Sequence, residues 1–131
     1  MDKKKFIIDK YNTVYSFDIY VVGNPNKESL DKLFEWSVDH TSIYDDKYND
    51  FSAYTSSGVL DKQTKKECII ITLNSLKDEY ENINTYSHEA FHAAMDILEA
   101  CRVPYCDESA EAYAYLVGYI TECVYKTAKK L

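Results

Sequence analysis

The chain changes its hydrophobic rhythm along its length, and that change fixes the fold class. In the first part, apolar residues gather in short runs rich in β-branched and aromatic side chains, such as "TVYSFDIYVVG" and "ECIIITLN", the composition of strands. From about Thr85 they recur at the spacing that lays them along one face of an α-helix. Strands followed by two long helices describe an α+β domain, with the helices on one face or end of a small, mostly antiparallel sheet. A chain of 131 residues suits one such domain and is too short for two independent cores.

Punctuation refines the plan. The first strand ends at Gly23-Asn24-Pro25, a strong turn signal. Asn26 is placed to cap a helix beginning at Lys27, in which Leu30, Leu33, Phe34 and Val38 keep helical spacing. After the polar stretch "HTSIYDDKYNDF", the extended runs "SAYTSSGVLD" and "ECIIITLN", joined by "KQTKK", should pair as a hairpin. The second is apolar on both faces and reads as a central strand, whereas the Ser- and Thr-rich first reads as an edge. Residues 52–58 could then accept an extended peptide as an added strand. The next helix continues through Leu98 and ends near Cys101, Pro104 prevents simple continuation, and Asp107 is placed to cap a last helix with a basic final turn.

Composition narrows the function classes. The net charge of -7 repels phosphate backbones and anionic lipid, so no nucleic-acid partner is expected, and no stretch is apolar enough to cross a bilayer. The clusters Lys3, Lys4, Lys5 and Lys126, Lys129, Lys130 read as solvated ends, and the "FII" behind the first is too short for a secretory signal. A cytoplasmic protein is expected. Cys68, Cys101, Cys106 and Cys123 form no CxxC pair and read as free thiols, mostly buried; Cys101 and Cys106 flank a short turn. Nothing in the sequence fixes the oligomeric state.

One short segment carries chemistry. In "YSHEAFHAAMDILEA", His88 and His92 stand four apart on the expected helix, about 40° apart in angle and about 6 Å apart along the axis, so both imidazoles point the same way and can share one ion. Imidazole suits zinc, and a catalytic zinc takes three protein ligands and leaves a fourth position open. Glu89, rotated by about 100° from His88, lies outside the coordination shell but within reach of water there, the place of a general base. The neighbours Ala90, Phe91, Ala93, Ala94, Met95, Ile97 and Leu98 are small or apolar, which predicts a buried helix whose histidines need partners.

"HEAFHAAM" followed by "DESAEAYAYLVGYI" resembles the minimal gluzincin metallopeptidases, in particular the small HExxH proteins of bacteriophages. The likeness covers the last third of the chain; the first half resembles the family in layout alone. It implies a single zincin-like domain over residues 1–131, a zinc ion on His88, His92 and a glutamate of the later helix, and Glu89 as the base. Glu111, which opens "EAYAY", is the glutamate carried over, with Glu108 one turn earlier as the alternative. Where many gluzincins place an aspartate four residues after the glutamate ligand, this chain has Tyr115; Asp96 or a backbone carbonyl would have to orient the zinc-bound histidine instead. The implied reaction is peptide-bond hydrolysis, in which Glu89 takes a proton from zinc-activated water and returns it to the leaving amine. Tyr105, Tyr113, Tyr115 and Tyr119 are candidates for an extra oxyanion donor, while His40, in "VDHTS", reads as a surface residue. The implied partner is a peptide or protein substrate, met in the host cytoplasm if the chain is phage-encoded. The alternative is a zincin scaffold without turnover, serving as an interaction or phage accessory protein.

Overall fold

The computed structural model describes residues 4–74 and 78–131, so Lys3 of the first lysine cluster and residues 75–77 lie outside the described part. Five strands form one mixed sheet: β1 (Ile7–Asn12), β2 (Asp18–Gly23), β3 (Phe34–Trp36), β4 (Ala53–Asp61) and β5 (Glu67–Leu73), in the order β1-β2-β5-β4-β3. The β2–β5 ladder is parallel and the other three are antiparallel. Helix α1 (Lys27–Leu33) lies between β2 and β3 in sequence, and α2 (Glu79–Ala100) and α3 (Ala110–Ala128) follow the sheet, so the α+β expectation holds.

Both faces of the sheet are covered. On one, Ile19, Val21, Ile69, Ile71 and Leu73 pack against Ala90, Ala93, Ala94 and Ile97 of α2 and Leu116, Ile120 and Val124 of α3. On the other, Val22, Val59, Cys68 and Ile70 pack against Leu30, Phe34, Ile43 and Tyr48. This double burial is why β5 reads as a largely apolar run, and it sits at the centre of the sheet as its sequence predicts.

The structure differs from the expectations where tertiary partners override local pattern. Strand β1 has no clear signal of its own, because Asp9 and Lys10 interrupt the apolar run. It forms by pairing residue for residue with β2, and Asp9 is held by Lys130 at 2.7 Å and Thr127 at 2.7 Å from the end of α3. Residues 13–17, expected to open the first strand, instead make the β1–β2 turn, with Ser16 at φ 62 and the Thr13 hydroxyl donating to the Phe17 carbonyl at 2.7 Å. The Asn26 cap forms, accepting from the Ser29 amide at 2.8 Å, but α1 stops at Leu33. Phe34 turns extended (φ -139, ψ 157), pairs opposite Asp61 and becomes buried, while Val38 is left exposed; cross-strand pairing outweighs helical spacing here.

The β4–β5 hairpin forms as expected, yet β4 is an edge strand for only part of its length. Strand β3 pairs with Val59, Leu60 and Asp61, leaving the outer edge of residues 53–57 without a strand partner among the described residues. The two halves meet at a bulge between Ser56 and Val59, where Gly58 adopts φ +69, a left-handed conformation that suits glycine. At the other end of the fold, Asp107 is not the cap of α3. It opens a 3₁₀ turn, Asp107–Ser109, with Cys106 in the cap position and α3 starting at Ala110.

Candidate metal centre

Helix α2 is capped by Asp78, whose carboxylate accepts from the Glu81 amide at 3.0 Å, with Glu79 and Glu81 in the first turn where the helix dipole favours negative charge. Its buried side is built of Tyr86, Ala90, Ala93, Ala94 and Ile97. At about 100° per residue, His88 and His92 each point roughly 160° away from Ala90, nearly opposite the core. Both are exposed. The helix is buried as expected, but the histidines are not; spacing of four keeps them together while the alanines, not the imidazoles, meet the sheet.

The two rings converge on each other. Their Nε2 atoms stand 3.1 Å apart, with ring centroids 4.8 Å apart and planes at 71°. Two nitrogens bound to one tetrahedral zinc at 2.0–2.1 Å are roughly 3.3 Å apart, so the pair fits a shared ion; the same distance suits one imidazole donating to the other. Phe91 lies beside His92, its ring centroid 6.4 Å away, and is half exposed.

Glu89 sits on the flank of α2 that faces β4 and is 9% exposed. Its Oε2 accepts from the Thr55 hydroxyl at 2.6 Å, and the same hydroxyl lies 3.2 Å from the Glu89 carbonyl oxygen. Two turns on, Asp96 lies beside Ser57 of β4 in one hollow; burial holds its carboxyl above the ordinary value, partly offset by Ser57 and by His92. Two hydroxyl-bearing residues two apart on β4 therefore stand beside two carboxylates seven apart on α2. Sequence reasoning missed Thr55 and Ser57: the stretch "TSS" reads only as polar edge, and the pairing exists only once α2 crosses β4.

The third ligand is where the site falls short. Among the described residues, no group of three or more His, Cys, Asp or Glu side chains converges as a metal site. Glu108 lies in the 3₁₀ turn and Glu111 in the first turn of α3, both exposed, and neither joins the histidines. The reason is helix length and register. Helix α2 runs past His92 to Ala100, and α3 returns antiparallel, with Tyr86 beside Tyr125 in one surface hollow and Glu99 beside Tyr113 in another. That register puts Glu111 level with the end of α2, about 12 Å along the axis from His92 at 1.5 Å per residue. The chain's own residues thus fit a zinc ion at two ligand positions, but not at the third. Glu108 is held below the usual carboxylate range by its own backbone amide and by Cys106, a partnership within its turn.

The remaining candidates sort by geometry. Tyr113 donates to the Val103 carbonyl at 2.6 Å and Tyr119 to the Asn12 carbonyl at 2.7 Å, so both phenols are committed to backbone. Tyr105 stacks edge-on against Tyr113 at 5.0 Å, and Tyr115 is exposed. His40 pairs with Glu35 at 2.9 Å, separate from α2. Cys68 and Cys123 are buried and free; Cys101 and Cys106 are exposed and free, which corrects the expectation of mostly buried thiols.

No family model, curated protein or solved structure matches this chain, so its own geometry is the guide to the site. No helix among the described residues is long and apolar enough to cross a membrane.

Proposed function

We propose that the chain is a zinc-dependent peptidase in which His88 and His92 hold the metal and Glu89 acts as general base. The observation that carries this reading is the 3.1 Å approach of the two Nε2 atoms next to a buried glutamate of the same helix. A bound zinc would polarise a peptide carbonyl and acidify water. Glu89 would take up the proton and return it to the leaving amine, and the unpaired outer edge of residues 53–57 would align an extended substrate beside it. Glu111 is the third ligand that the gluzincin likeness assigns, and the first turn of α3 would have to be drawn toward the histidines for it to serve.

The test is metal stoichiometry by native mass spectrometry alongside digestion of a diverse peptide library. One zinc per chain is expected, and Glu89→Gln should keep it while cleavage falls by a factor of about 10² to 10⁴. Glu111→Gln should weaken zinc binding tenfold or more, by the rough scale of ligand-shell losses, with Glu108→Gln having little effect. A second reading, a zincin-like interaction protein without turnover, is favoured by the separation of Glu111 from the histidine pair. A protein that binds zinc with an affinity indifferent to Glu111→Gln and cuts no peptide would establish it.

A further inference from the structure

We propose that two copies of this chain complete the metal centre between them: facing His88–His92 pairs, related by a twofold axis, share one ion when metal is limiting. This inference rests on the histidine pair as metal ligands, the part of the reading above that involves no turnover.

Its basis is the mismatch within one chain. His88 and His92 present two nitrogens 3.1 Å apart, and no third ligand converges with them among the described residues. Zinc in proteins takes three side chains plus water, or four side chains and no water. A twofold axis that repeats the pair supplies four, with the same patch serving on both copies, as in most dimers. Both imidazoles are exposed on the side of α2 away from the core, where a second chain can reach them.

The surroundings suit a second copy. The net charge of -7 makes two copies repel over most of their surface. At about 100° per residue, however, the outward side of α2 between Glu81 and Glu99 carries Asn84, His88, Phe91, His92 and Met95, none of them acidic. Phe91 is half exposed and stands beside His92, so an apolar shoulder flanks the imidazoles. Coordination also sets the approach. In a tetrahedron the edge joining two ligands is perpendicular to the edge joining the other two, and His88 and His92 follow one another along the helix. The two α2 helices therefore cross at about 90° and meet at the turns that carry the histidines. Glu81 and Glu99 are each nine positions from Ala90, the midpoint of the pair. That is about 13.5 Å along the axis, which separates the acidic ends of two crossed helices by about 19 Å. Exposed charges are screened over about 8 Å at physiological salt, so this repulsion does not decide the outcome. Four imidazoles leave no position for water, which makes the shared site a closed, structural one. Excess metal gives each pair its own ion and separates the copies.

The test titrates zinc alone into the metal-free full chain and follows it by sedimentation velocity and native mass spectrometry. A dimer holding one zinc should peak at about half an equivalent of zinc per chain and give way to monomers holding one zinc each at severalfold excess. His88→Ala and His92→Ala should each cut the dimer at half an equivalent by about tenfold or more, with Tm in the absence of metal unchanged because both positions are exposed. Phe91→Arg, which sets like charges on facing surfaces and offers no ligand, should weaken the dimer about tenfold or more while the affinity of one chain for one ion stays within about threefold. Zinc bound one per chain by a monomer at every ratio would overturn the shared site and leave the reading above in place. A dimer that forms without metal, survives loss of either histidine or is indifferent to Phe91→Arg would also overturn it. A chain that takes up no zinc would overturn both.

Discussion

The two sides of α2 that carry polar groups are built on different terms. On the flank toward β4, Glu89 accepts from the Thr55 hydroxyl and Asp96 stands beside Ser57. On the side away from the core, His88 and His92 are exposed and meet each other. The first arrangement is preorganised, its partners fixed by sheet and helix before any ligand arrives. The second is a pair of donors converging on one point, and an ion there would engage both without disturbing the packing beneath. The difference is that groups on a buried flank must be satisfied by the protein, whereas an outward pair is free to meet a ligand: desolvation makes partners obligatory on one side and optional on the other.

The comparison breaks most severely if the buried side proves dispensable. Ile97→Ala opens a cavity beneath the helix at a fully buried position. It should cost about 2–5 kcal/mol in denaturant unfolding, and a loss below about 1 kcal/mol would mean that α2 is not seated on the sheet. Next in size is the metal effect on the outer side. Zinc at a hundredfold excess over its Kd should stabilise the wild type by about 2.7 kcal/mol, seen as a rise in Tm that His88→Ala abolishes. A Tm indifferent to zinc would reduce the histidines to surface residues.

The buried flank also has a pH signature. Burial raises the Asp96 carboxyl above its ordinary value, so the folded state carries a penalty at neutral pH that disappears as pH falls through the folded pKa toward the unfolded one. Asp96→Asn should therefore raise Tm at pH 7 by about 1–2 °C, the benefit vanishing below about pH 4, where the wild-type carboxyl is protonated in both states. A benefit that grew in acid would reverse the assigned sign. The smallest effect belongs to the outer side without metal: His92→Ala should change stability by no more than about 0.5 kcal/mol in the absence of zinc, as expected for an exposed position.

Much of this layout was legible in the chain. Three-to-four-residue spacing gave α3 and α2 from about Thr85 onward, though not the first turns of α2 from Glu79; the Asn26 cap gave the start of α1, and the largely apolar run of β5 gave a central strand buried on both faces. Spacing alone also put His88 and His92 on one side of a helix, because that depends on nothing beyond helical geometry. Strand β1 was not legible, since Asp9 is neutralised by Lys130, distant in sequence, and the end of α1 was not, since Phe34 is claimed by a pairing with Asp61. The direction in which the histidines face was hidden as well. The neighbours of His88 and His92 are apolar, but the alanines among them meet the core and the imidazoles do not.

What the sequence by itself determined is therefore local and periodic: the helices, the imagined ligand pair, and a glutamate offset from it by one residue. What only the tertiary structure decided is everything that needs two distant segments in register. The crossing of α2 over β4 gave Glu89 its hydroxyl partner, and the length of α2 before the return of α3 set Glu111 about two turns away from the histidines at about 5.4 Å per turn. Helical repeat is a property of the backbone and can be counted along a string, whereas the level at which two packed helices face each other is chosen by the side chains between them.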